Sequence, residues 1–273
     1  MILSQPLLSC LTGGLWTCLA EDKMNRAVFG FLVAIALTSA PAAQAQDKPT
    51  SYLMGTYYRC PQGDVARVDA IFKEQVTPLL KAAQTAGNIA TFGWAKHAEG
   101  GEWRRLLYIA GTDLEKLAAA RDALTKSLMA PEHVKAFEEF GRTCSSHDDY
   151  IWRSKASSQP LDAVARVRAP FAMSTYFVCN AHEGEADEIV VAAFAPLLNQ
   201  RVKDGTIASW NWIEHMFGGQ YRRALVLDGK DETTLLKNWA TLQDDFEKAA
   251  PNLGRRFTEV CSSHSDYIWD LSN

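Results

Sequence analysis

The chain contains no long basic run, no CxxC pair and no apolar stretch long enough to span a bilayer as a helix. The first absence, with 28 Lys and Arg against 32 Asp and Glu for a net charge of −4, argues against nucleic acid as a partner. The second removes the usual spacing of thiolate metal sites and of dithiol redox sites. The third leaves no stable membrane span once a leader is removed. No motif of known catalytic chemistry stands out either.

What is present begins with an apolar leader. Met24, Asn25 and Arg26 give a short positive start, Ala27 to Ala40 is uncharged, and Ala43-Gln44-Ala45 is a small-x-small cleavage site. Residues 24–45 therefore read as a signal peptide, and the mature chain is expected to be periplasmic or secreted. Residues 1–23 then lie upstream of a leader. They read as an extension ahead of a true start at Met24, which would remove Cys10 and Cys18. Four cysteines remain, Cys60, Cys144, Cys179 and Cys261, and an even count in an exported chain favours disulfides.

The strongest signal is a repeat. Cys144 to Trp152 reads CSSHDDYIW and Cys261 to Trp269 reads CSSHSDYIW, identical at eight of nine positions. The match extends upstream: Thr56, Tyr57 and Cys60 to Thr175, Tyr176 and Cys179; Trp94 and His97 to Trp212 and His215; Arg104-Arg105 to Arg222-Arg223. The offset falls from 119 through 118 to 117, so two one-residue gaps suffice. The chain divides into repeat 1 at residues 51–153, a linker at 154–170 and repeat 2 at 171–273.

Within each repeat the pattern is β-α-β-β-α-β. Tyr52 to Cys60 is aromatic and β-branched and reads as a strand. Val65, Val68, Phe72, Val76, Leu79 and Ala83 recur at helical spacing, Gly87 can end that helix, and Pro78 and Pro196 should kink it and its partner. A hairpin from Ile89 to Ala110 is expected to turn at Gly100-Gly101, pairing Glu99 with Glu102, Lys96 with Arg105, Trp94 with Leu107 and Phe92 with Ile109. In repeat 2 the same register pairs Glu214 with Arg223, Trp212 with Leu225 and Trp210 with Leu227. Thr112-Asp113-Leu114-Glu115 has the form of a capping box opening a helix over 113–128. Pro131 suits the start of a further helical piece, and residues 149–152 supply the last strand.

Two such units in one chain resemble the dimeric α+β-barrel (ferredoxin-like) superfamily, in which antibiotic-biosynthesis-type monooxygenases are built this way. The resemblance rests on topology and size, and no catalytic motif can be laid onto these positions. It implies an α+β fold of two tandem repeats packed sheet to sheet as a pseudo-twofold barrel, with the last strand of each repeat antiparallel to its first. That strand order would bring Cys60 beside Cys144 and Cys179 beside Cys261, within disulfide reach. A zinc site from Cys60, Cys144 and His147 is the rival; no metal is expected. Ser145, His147 and Asp149 are too close in sequence to read as a triad, and the tail reads as structural.

The hairpin register assigns one face, with Trp94 and Trp212, to the core. The other carries smaller and more polar residues: His97, Arg104 and Tyr108 in repeat 1, and Asn211, His215 and Arg222 in repeat 2. These six are the candidate ligand-binding residues, lining a pocket between the sheets, and the neighbouring arginines should keep both histidines neutral. Three functions follow. The first is a small-molecule-binding module without a cofactor. The second is a cofactor-free oxygenase-like or isomerase-like enzyme with His97 or His215 as base; haem ligation by one of these histidines is a variant of it. The third is a structural or interaction protein with a filled interface. Neither the ligand nor any further oligomerisation is legible.

Overall fold

A computed structural model describes residues 50–61, 64–159 and 169–272. The leader, the upstream extension, Cys10 and Cys18 lie outside the described residues, as does most of the expected linker.

Strand β1 (Tyr52–Arg59) shows why the chain folds as it does. Its residues alternate between two apolar surroundings. Met54, Tyr52 and Tyr58 pack outward among helices, while Leu53 and Tyr57 point inward. Two hydrophobic layers therefore meet at one sheet. After β1 the chain runs through α1 (Val65–Ile71), a π-helical turn (Phe72–Val76) and α2 (Thr77–Thr85), then β2 (Thr91–Gly100), β3 (Arg105–Gly111), α3 (Leu114–Leu128), α4 (Val134–Thr143) and β4 (Ser146–Ser157). The same order follows in β5 (Phe171–Cys179), α5 (Glu183–Ile189), a second π-helical turn (Val190–Phe194), α6 (Ala195–Lys203), β6 (Ser209–Phe217), β7 (Arg223–Gly229), α7 (Glu232–Ala249), α8 (Pro251–Val260) and β8 (Cys261–Asp270).

Pro78 and Pro196 lie within continuous helical runs, 65–85 and 183–203. Each stands in the first turn of α2 or α6, directly after a π-helical turn, so the helix departs from regular α geometry just where proline lacks an N–H. The second helix is capped by Asp113, whose side chain accepts from the Lys116 N–H, so the expected Thr112 capping box is displaced by one residue. The last strand of the first half is also longer than expected. It continues through Ser157, with Ser154 to Ser157 paired to β6, so the start of the expected linker is strand.

The strands close into a barrel ordered β1-β3-β2-β8-β5-β7-β6-β4. The hairpin register is as expected at Lys96–Arg105, Trp94–Leu107 and Phe92–Ile109, and at Trp210–Leu227, Trp212–Leu225 and Glu214–Arg223. The hairpin tip is not. Beyond His97, β2 leaves β3 and pairs with β8, setting Glu99 against Ile268 and Gly100 against Tyr267. Gly100 (φ +115°) and Gly218 (φ +135°) permit this crossing. A Cβ on them would meet Asp266 O at 2.1 Å and Asp149 O at 2.5 Å. Face-to-face stacking is thus only part of the arrangement: the edge strands bond at β2–β8 and β4–β6, which leaves no open sheet edge.

The barrel interior is full. Tyr57, Trp103, Tyr150, Trp152, Tyr176, Tyr221, Tyr267 and Trp269 form one buried cluster. Trp152 Nε1 donates to Tyr57 Oη at 3.1 Å, and Trp103 stacks on Tyr267 with centroids 4.9 Å apart. The Tyr and Trp of both copies of the repeated nonapeptide supply half of these rings, and the cysteines that open it form the disulfides Cys60–Cys144 and Cys179–Cys261 (Cα–Cα 4.3 and 3.9 Å). Those bonds consume the thiols that the zinc alternative required. The space between the sheets, where the sequence suggested a pocket, is occupied by this aromatic cluster among the described residues.

Candidate functional site

Outside the barrel, each half carries a tryptophan held by an aspartate. Trp94 Nε1 donates to Asp69 (2.7 Å), which also accepts Arg105 Nε and Nη2 (2.6 and 2.8 Å). In the second half Trp212 Nε1 donates to Asp187 (2.7 Å), and Asp187 accepts Arg223 Nε and Nη2 (2.7 and 2.9 Å). A bidentate Arg–Asp pair fixes the carboxylate, and the carboxylate fixes the plane of the indole. Each indole then forms the floor between sheet and helices.

What stands above the floor differs. In the first half Phe72 stacks on Trp94 (centroids 4.2 Å, planes 12° apart), and Phe137 and Leu128 complete the lid; the space left is about 30 Å³. At the equivalent positions of the second half stand Val190 for Phe72 and Gly254 for Phe137. Phe194 for Val76 and Phe246 for Leu128 run the other way and stack on each other, centroids 3.7 Å apart. Above Trp212 there is a cavity of about 420 Å³, walled by Phe177, Phe194, Trp239, Phe246 and Phe257. Gln243, Glu247, Arg255, Thr258 and His264 supply the polar groups on its wall. An apolar concavity with few polar groups is what a small-molecule site requires.

His264 is the titratable group of note here. Its Nδ1 lies 3.0 Å from Asp266 Oδ2, and Asp266 in turn accepts from Thr175 Oγ1 at 2.7 Å. The hydrogen bond to Asp266 pushes the imidazole pKa up, against the pull of burial. His264 is therefore oriented and biased towards its protonated, donating form.

The six residues singled out in the sequence do not share this cavity and are not brought together. His97 with Arg104 lies at the β2–β8 seam, and His215 with Arg222 at the β4–β6 seam. Tyr108 lies over Gly93 inside the barrel, where a Cβ on Gly93 would come 2.4 Å from its ring. Asn211 is fully buried, and neither of its side-chain polar atoms has a hydrogen-bond partner among the described residues. Trp103 and Tyr221, which follow the glycine pairs and plug the barrel, went unassigned in the sequence. So did Asp69, Asp187 and the Phe-to-Val and Phe-to-Gly differences. A comparison of the two halves by side-chain volume would have found the last two.

Both seam histidines have lowered pKa values, with burial the larger cause and the adjacent Arg104 or Arg222 the second. The sequence reading credited the arginine alone. A depressed folded pKa means that the unfolded chain binds the proton more readily, so this contribution to stability is present above about pH 6.5 and is lost as pH falls through the folded value. His264 works in the opposite sense, contributing fully below about pH 6.5 and fading as pH rises through its raised value. Replacing both His97 and His215 with Gln is therefore expected to flatten the fall in thermal midpoint between pH 7.5 and pH 5. Parallel pH series for variant and parent would show it; identical slopes would remove these histidines from the acid response.

No helix among the described residues is long and apolar enough to cross a membrane. Among them, no group of three or more His, Cys, Asp or Glu side chains is placed to hold a metal ion. No family model and no curated protein matches the sequence. Solved structures do match the fold. An anthrone oxidase-like protein is 11% identical, with 83% of this chain and 93% of that one aligned at a TM-score of 0.53. A proposed monooxygenase of Fusobacterium nucleatum is 8% identical, with 83% and 94% aligned at 0.50. A haem-binding protein from Thermus thermophilus is 11% identical, with 82% and 93% aligned at 0.47. The chain shares with the first two of these structures a mixed α/β fold of ferredoxin-like type, here built around a closed antiparallel barrel.

Proposed function

We propose that the protein is an exported small-molecule-binding protein, and that its ligand is a flat, largely apolar molecule seated over Trp212 with an oxygen directed to His264. The observation that carries this is the cavity of about 420 Å³ over Trp212 against about 30 Å³ over Trp94: Val190 and Gly254 stand where Phe72 and Phe137 fill the first layer, while Phe194 and Phe246, in place of Val76 and Leu128, carry aromatic bulk to the cavity wall. On this reading the chain is a tandem fusion of two ferredoxin-like repeats, residues 51–153 and 171–273, of which one kept a packed layer and the other opened it. Two disulfides support export, since such bonds persist in oxidising compartments. The site thus moves from the inter-sheet space suggested by His97 and His215 to one outer layer.

The test is binding of N-phenyl-1-naphthylamine, a neutral probe that brightens in apolar surroundings. The parent protein should show one saturable site. Val190→Phe with Gly254→Phe should restore the packed lid and remove about 2–3 kcal/mol of apolar contact, roughly a 30- to 150-fold loss. Unchanged affinity would place the probe, and the function, elsewhere.

An oxygenase-like enzyme is the second reading. It is favoured by the Thr175–Asp266–His264 chain at the cavity wall, which could stabilise a developing oxyanion on an aromatic substrate. The fold neighbours named as an anthrone oxidase-like protein and a monooxygenase are compatible with it. His264→Gln separates the two readings. A binder loses little affinity for the neutral probe and has no turnover to lose, whereas an enzyme keeps that affinity and loses its rate.

A further inference from the structure

The two His–Arg pairs look equivalent in sequence, but their arginines are used differently. In the second half Arg222 Nη1 meets His215 Nδ1 at 2.8 Å, and its Nε and Nη2 edge grips Glu183, at 3.2 Å to Oε2 and 2.9 Å to Oε1. That is a bidentate guanidinium–carboxylate pair. Glu183 is the first residue of α5, and the first residue of α1, at the same place in the first half, is Val65. Arg104 has no carboxylate within ion-pair distance among the described residues. Its Nη1 sits 3.1 Å from both ring nitrogens of His97, a position over the ring rather than in line with either lone pair, and 3.2 Å from Gly101 O. The Nε and Nη2 edge that holds Glu183 in one half thus has no side-chain partner among the described residues in the other. Space matches the vacancy in chemistry: a groove of about 450 Å³ is lined by Val65, His97 and Arg104 together with Lys96, Phe171 and Glu232.

We propose that this groove binds a carboxylate-bearing ligand, its carboxylate taking the position on Arg104 that the Glu183 side chain takes on Arg222. The inference is independent of the cavity over Trp212, which lies in the other half's outer layer. Charge around the groove favours one negative charge and no more. Lys96 replaces the Glu214 of the second half and adds a cation, although its Nζ already donates to Ser272 O at 3.1 Å. Arg105 also lines the groove but is occupied by Asp69. Glu232 and Asp270 bring negative charge to the same walls, which a multiply charged anion such as phosphate would feel most. Asp270 is directed to Ser272, whose N–H it accepts at 2.8 Å.

The experiment is a titration of the full mature chain with propionate, too small and polar to report on the aromatic cavity, read from arginine side-chain Nε–H resonances by NMR. Arg104→Lys identifies the resonance by deleting it. The Arg104 Nε–H should move saturably with propionate and far less with phosphate. Val65→Glu, which supplies an internal carboxylate, should move the same resonance without propionate and weaken the titration by at least about tenfold. Glu183→Val should make Arg222 respond as Arg104 does. An Arg104 resonance unmoved by propionate, or one that still titrates with parent affinity in Val65→Glu, would overturn the proposal. A failed probe experiment at Trp212 would leave this result untouched, and the reverse also holds.

Discussion

Replacing Cys60 and Cys144 with serine is expected to lower the unfolding free energy by about 4 kcal/mol, and replacing Cys179 and Cys261 by a similar amount. The bridged residues are 84 and 82 positions apart, so each bond closes a long loop and removes much freedom from the unfolded chain. For a chain of this size the thermal midpoint should fall by about 8–16 °C per bridge. Reductant should reproduce the shift in the parent and have no effect on the variant lacking all four cysteines. An unchanged midpoint under reduction would mean that the bonds contribute nothing to the folded state. The two bridges should differ in function. Cys261 is part of the wall of the cavity over Trp212, whereas Cys60 and Cys144 pack in the filled layer of the other half. Losing the second bridge should weaken probe binding at a temperature where the protein is still folded; losing the first should leave it alone.

The element order and the hairpin register could be read from the sequence because strands alternate with period two and the nonapeptide occurs twice. Trp94 and Trp212 fell on the core face by that alternation, and both are buried. The same logic failed at the hairpin tips. It assumed that β2 stays with β3 to the end, whereas Glu99 and Gly100 find partners on β8, more than 160 residues away. Nothing local in residues 97–105 signals that choice, because it depends on the second sheet lying close enough to bond. The same blind spot hid the fate of the polar face. Gly93, Ala95 and Asn211 are small or polar and suggest room, but Trp103 and Tyr221 fold in from the loops and take the room away. The site itself escaped because the repeat was compared for identity. The cavity lies where the halves disagree in volume: Phe72 against Val190 and Phe137 against Gly254 make room, and Val76 against Phe194 and Leu128 against Phe246 shift the rings to its wall.

Asp69→Ala is expected to cost about 3–5 kcal/mol, near the upper limit for a single substitution. Arg105 has a side chain only 8% exposed, and Asp69 is its one carboxylate partner among the described residues. Removing it strands a buried guanidinium and leaves the Trp94 indole N–H without its acceptor. The equivalent change, Asp187→Ala, should cost less even though Arg223 is more deeply buried, at 4%. Glu183 and Glu214 remain within reach of Arg223, at 3.6 and 3.8 Å, so its charge stays compensated. Chemical denaturation of the two variants would test the ranking, and Asp69→Ala with Arg105→Leu should recover much of the loss because no unpaired charge remains. Ligand binding should rank the other way. Asp187 holds the plane of Trp212, the floor of the open cavity, whereas Asp69 holds an indole already covered by Phe72. Asp187→Ala should therefore be the milder variant for stability and the more damaging one for the naphthylamine probe. If instead both properties fell together in whichever variant is less stable, the tryptophan would be acting as core alone and the cavity above it would have no claim to specificity.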